Sequence, residues 1–136
     1  MTGTPDRSGS VSDFVTVPAG TYVCRIAEVR TGATRSGDVR WSMGLVVADG
    51  PHAGRVAAWD SLVFSVRALP RVRRVFAALG LPAAGSVHVE PADLVGLLAS
   101  VEVRPTTYRA GDGSTVRRNE VPYDGWRAAP AGRATS

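Results

Sequence analysis

Lysine is missing from this 136-residue sequence, and all sixteen of its cations are arginines. Without lysine there is no Schiff-base chemistry and no phosphate loop built on a lysine. Abundant Ala, Gly, Val and Pro point to a GC-rich coding sequence, which accounts for arginine-only usage without any special chemistry. Cysteine is almost as scarce: Cys24 stands alone, which excludes a disulfide framework and suits a reducing compartment. No run of eighteen apolar residues occurs, and the start MTGTPDRSGSVSD lacks the apolar core of a signal peptide. The expectation is a soluble, cytoplasmic protein with no membrane partner. His52 sits in a turn without a second His, Cys or carboxylate at ligand spacing, and His88 alternates with Val87 and Val89 as a structural residue, so neither a metal nor another cofactor is expected.

What is present is patterned. In VRWSMGLVV the residues Val39, Trp41, Met43, Leu45 and Val47 share one parity, and a period of two implies a strand with one buried face. Trp41 belongs to that face. After the turn Asp49-Gly50-Pro51-His52-Ala53-Gly54, a second strand puts Val56, Ala58 and Leu62 on one parity. Arg55, Ala57, Trp59 and Ser61 take the other. Trp59 is therefore expected on a polar face beside an arginine, an arrangement that suits something flat stacking on it.

The remaining chain is read around that hairpin. Residues 1–16 are rich in Gly, Ser, Thr and Asp, with a lone Phe14, and read as a flexible arm. Residues 17–126 form a single domain and residues 127–136 a disordered tail. The strand TYVCRIAEVR alternates as far as Ala27 and then slips in parity, the signature of a bulge that bends a long strand round a small barrel. The loop TGATRSGD follows it. From Ser65, a possible N-cap position, Leu69, Val72, Val75, Phe76 and Leu79 recur at helical steps up to Gly80. Arg67, Arg71, Arg73 and Arg74 fall off this stripe, as a solvated face or as an extra phosphate-contacting patch. Pro91–Gly96 reads as one helical turn. LLASVEVRPTTYR and STVRRNEVPYDGW then make a hairpin across Gly111-Asp112-Gly113, with Trp126 closing the last strand.

Three strands, a helix and two strands give an all-β class with one helix: a five-stranded OB-fold barrel in the order β-β-β-α-β-β. Such barrels bind oligonucleotides across their second and third strands. Several stretches, VPAGTYVCRIAEV, VVADGPHAGRV, FAALGLP and PADLVGLLASVEV, resemble a family of small phage and prophage proteins once catalogued only as a domain of unknown function. The likeness spans roughly Phe14 to Val121. It implies an OB-fold and single-stranded DNA binding in the bacterial cytoplasm or nucleoid. Two features depart from that family: the absence of lysine, and Val39 and Trp41 where basic or polar residues are usual. The tail RAAPAGRATS also lacks the acidic tip that bacterial single-strand-binding proteins use to recruit partners.

Together these readings give a non-enzymatic, sequence-tolerant binder that protects single-stranded DNA in replication or recombination. Trp59 would stack bases, and Arg25, Arg35, Arg40, Arg55, Arg109, Arg117 and Arg118 would meet phosphates. Single-stranded RNA stays open as a ligand, as does a homo-oligomer formed through unpaired sheet edges. Replication or recombination partners are not indicated. A protein-interaction adaptor with Trp59 as its anchor is the other class. A nuclease would need clustered carboxylates, whereas Asp38, Asp49, Asp60 and Asp112 are scattered along the sequence.

Overall fold

A computed structural model describes residues 11–81 and 89–130. The expectations for His88, for residues 1–10 of the arm and for residues 131–136 of the tail fall outside these. The chain opens with strands β1 (Val11–Asp13), β2 (Gly20–Ala33), β3 (Val39–Val47) and β4 (Val56–Phe64). Helix α1 (Leu69–Ala78) and the single turn α2 (Pro91–Leu94) follow. Strands β5 (Leu98–Arg109), β6 (Thr115–Glu120) and β7 (Trp126–Arg127) complete it. The hydrogen-bonded order is β1-β6-β5-β2-β3-β4, with β7 added to β5. The protein is mostly β, with one substantial helix.

Strand β2 is the hub, because it pairs antiparallel with both β3 and β5. Strand β5 serves β2 as far as Val103 and then passes to β6 from Arg104 onward. With α1 between β4 and β5, this is the expected β-β-β-α-β-β order of a small barrel. The parity slip in β2 is a bulge between Ile26 and Glu28, and a second one lies opposite Leu45 and Val46 in the β3–β4 ladder. Between the two, Cys24, Ile26, Trp41, Met43, Leu45 and Leu62 point inward and are buried. Burying a side chain of this size contributes about 1.5–3 kcal/mol. Trp41 packs on Phe64 with ring centroids 4.6 Å apart, as a core tryptophan should.

Helix α1 covers one end of the core with Val72, Val75 and Phe76. Its N-cap is Ala68 rather than Ser65. Ser65 instead closes the preceding turn, its hydroxyl accepting from the Ala68 amide at 3.2 Å. Pro70 sits in the first turn, where its missing N–H costs nothing. The helix stops at Gly80, whose φ of 79° is one that a side chain would resist.

Three readings change. Arg71 does not belong to a solvated helix face. Its guanidinium is largely buried, pairs with Asp60 Oδ2 at 2.7 Å, and donates to the Ser61 and Tyr123 carbonyls. The helical period placed it off the apolar stripe, but β4 and the segment before β7 fold over that side and supply a counter-ion. The last long strand also ends early, at Glu120, because Pro122 lacks an N–H and Asp124-Gly125 turns the chain. Trp126 then returns to pair with Val101, buried, and its indole N–H donates to Asp60 at 2.8 Å. Finally, Val11–Asp13, within the stretch read as a flexible arm, forms β1 and pairs in parallel with β6. Three residues of mixed polarity carry no periodic signal; the pairing is set by the backbone of β6.

No backbone ladder joins β4 to β6, so the barrel wall is open along that seam. Asn119 bridges it. The side-chain amide, buried, donates to the Val17 carbonyl at 3.0 Å and to the Ala57 carbonyl at 3.1 Å. Asn119→Ala would leave both carbonyls without this donor, at a cost of about 1–3 kcal/mol. The expected result is a lower urea midpoint with an unchanged m-value. Cys24 offers a second check. Burial first, and the Asp49 charge second, push its thiol up to about 12. The folded protein should resist thiol reagents at pH 9 and react only on unfolding. Since only the unfolded chain loses this proton above the ordinary thiol range, Cys24 should also make stability fall from about pH 9 towards 12. Comparing urea midpoints with Cys24→Ala across that range isolates the effect.

Candidate functional site

The outer face of β2, β3 and β4 is built in rows that the ladder registers define. Glu28, Gly44 and Trp59 make one row, Arg30, Ser42 and Ser61 the next, and Gly32, Arg40 and Val63 the third. The β2 bulge is what brings Glu28 and Arg30 to this face. Without the extra residue the two would point into the core.

Trp59, on the border strand β4, is 40% exposed. Its cross-strand neighbour is a glycine, and the indole lies down over it. A Cβ on Gly44 would stand only 3.0 Å from Trp59 Cζ2 and 3.1 Å from Cη2. Gly44 thus has no steric equivalent: it is the floor beneath the ring, in the way aromatic residues often cover strand glycines. Arg30 lies above, its guanidinium carbon 4.6 Å from the indole centroid. Glu28 holds that arginine through Nε at 2.8 Å.

The face continues into a groove of about 860 Å³. Trp59, Arg30 and Arg40 line one side, and Arg118, Phe14 and Thr16 line the other. A second guanidinium–ring pair flanks it, with Arg118 5.0 Å from the centroid of the exposed Tyr108 ring. Three arginines against one carboxylate leave this surface cationic. Flat rings paired with guanidinium groups in a cationic groove can hold flat, anionic ligands by stacking and charge.

The expected site residues divide. Trp59, Arg40 and Arg118 come together in the groove. Arg55 lies at its border, donating to the Thr16 carbonyl at 3.3 Å. Arg25 is exposed in the row of Val46, outside the groove lining, and Arg35 is exposed in the β2–β3 loop. Arg109 ties its own hairpin, donating to the Gly113 carbonyl at 3.0 Å. Asp112 at that tip accepts from the Ser114 hydroxyl and amide, which hold its carboxyl below the ordinary range. Arg117 is engaged by Asp13 at 2.9 Å, on the far side of β6 from Arg118's parity.

Two residues escaped the sequence reading. Arg30 was legible: once parity slips at Ala27, the outer positions become Glu28, Arg30 and Gly32. Phe14 was not, since nothing in its polar surroundings signals that β1 docks on β6. Asp60 is no metal ligand in waiting, for its carboxylate already receives Arg71 and Trp126.

Among known proteins, residues 4–92 match a family model described as a protein of unknown function, DUF669, over more than half of the chain. No curated protein matches. The geometry itself yields a prediction. Gly44→Ala should lift the indole off the sheet and break its stack with Arg30, seen as altered tryptophan emission. The unfolding midpoint should move by only a few degrees, because the displaced ring edge has solvent to move into.

Proposed function

The chain belongs to the DUF669 family, and we propose that it is a sequence-tolerant single-stranded DNA-binding protein. One observation carries the reading: a half-exposed indole, seated on a glycine floor, opens into a groove lined by Arg30, Arg40 and Arg118. The resemblance of VPAGTYVCRIAEV and VVADGPHAGRV to small phage single-strand-binding proteins supports it. So does the strand order, which belongs to a fold whose outer face commonly takes oligonucleotides.

Magnitudes decide how a base reaches Trp59, whose open face Arg30 occupies. An exposed cation–π contact is worth about 0.5–1 kcal/mol. A stacked base is worth about 1–3 kcal/mol. The base therefore displaces the guanidinium, and the released Arg30 finds a phosphate. Its exposed pair with Glu28, worth about 0–1 kcal/mol, does not prevent the exchange. Arg40 and Arg118 hold neighbouring phosphates. Stacking reads no base edge, so sequence preference is slight.

This reading makes the protein a binder rather than an enzyme, protecting single strands during replication or recombination in the bacterial cytoplasm or nucleoid. Among the described residues no helix is long and apolar enough to cross a membrane. The test is fluorescence titration with oligo(dT), oligo(U) and duplex over a salt series. Oligo(dT) should quench tryptophan emission, and Trp59→Ala should weaken binding roughly 5- to 100-fold. Three arginine contacts predict a log–log salt slope of about 2, falling by about 0.7 in Arg30→Gln. Absence of both quenching and retardation at low salt would overturn the reading in favour of an adaptor.

A further inference from the structure

The residues just before the barrel are held more firmly than their composition suggests. Beyond the β1–β6 pairing, the Phe14 amide donates to the Arg117 carbonyl at 2.7 Å. Asp13 binds the Arg117 guanidinium at 2.9 Å with one carboxylate oxygen and accepts from the Val15 amide at 2.9 Å with the other. Thr16 donates its hydroxyl to the Val56 carbonyl, and its own carbonyl accepts from Arg55. Val17 is buried in the core. This segment is fixed to β4 on one side and to β6 on the other.

Yet the one aromatic in the segment is left in water. Phe14 is 63% exposed, and it lines the groove that holds Trp59. Folding gains little from a phenyl ring so placed, so the hydrogen bonds around it serve to position the ring rather than to bury it. Resting on the single-strand reading, we infer that Phe14 is a second base-stacking residue and that the segment Asp13–Thr16 is the far wall of the binding groove. The strand would cross from the Trp59 face to the Phe14 wall, with Arg118, which lines the same groove, as a phosphate contact. Phenyl rings stack on any base, so this subsite shares the sequence tolerance of the first.

The experiment uses the full chain and fluorescein-labelled oligo(dT). Phe14→Ala should weaken binding at least ~5-fold, while Phe14→Tyr keeps it. The thermal midpoint should not move, because the ring is exposed. A direct readout comes from Phe14→Trp in a Trp59→Phe background, where oligo(dT) should quench the introduced indole beyond the change seen with Trp59→Phe alone. Wild-type binding together with unchanged affinity in Phe14→Ala and no such quenching would overturn the inference and leave the Trp59 reading standing. Failure of the wild-type chain to bind oligo(dT) at low salt would overturn both.

Discussion

One carboxylate sets the orientation of the whole β4 strand. Asp60 Oδ2 receives the Arg71 guanidinium from α1 and the neutral Trp126 indole from β7, and both members of the Asp60–Arg71 ion pair are largely withdrawn from solvent. Two charges taken out of water gain little net stability, so the pair matters less for its energy than for the register it specifies. Along a strand, neighbours face opposite ways. With Asp60 drawn inward, Trp59 and Ser61 must face outward, and a slip of one residue would expose a buried charge. The exposed tryptophan is a consequence of its neighbour's anchoring.

The same alternation explains why the outer face has the residues it has. The bulge in β2 resets the parity, so that Glu28 and Arg30 share a face with Gly44 and Trp59. Glu28 then plays a double part. It keeps the Arg30 side chain near the indole, and it offsets one positive charge in the resting groove. A site with Arg30, Arg40 and Arg118 but no counter-ion would carry three unshielded cations on one patch.

Much of this was legible in the residues. Alternation in Val39–Val47 and again from Arg55 to Leu62 put Trp41 inward and Trp59 outward, the slip after Ala27 located a bulge, and Gly80 and the Gly-Asp-Gly tip marked a helix end and a hairpin. The periodic signals are local, and local geometry enforces them. What could not be read depended on partners distant in sequence. Arg71 and Asp60 look like ordinary surface charges until α1 crosses β4, and Asn119 gives no hint that it spans a seam. Arg117 showed only its charge, and that the Asp13 carboxylate already holds it is a tertiary fact; Arg109 is held locally, by a carbonyl of its own hairpin. Val11–Asp13 has no pattern because its partner strand supplies the order.

The free border of β4 has one more property. Val56 and Ser61 present carbonyls that take the Thr16 hydroxyl and the Arg71 guanidinium, and the Ala57 carbonyl takes the Asn119 amide. A row of acceptors already satisfied by side chains makes a poor template for a foreign strand. The opening in the wall thereby offers a strand from another copy fewer free acceptors, although its backbone is never zipped shut.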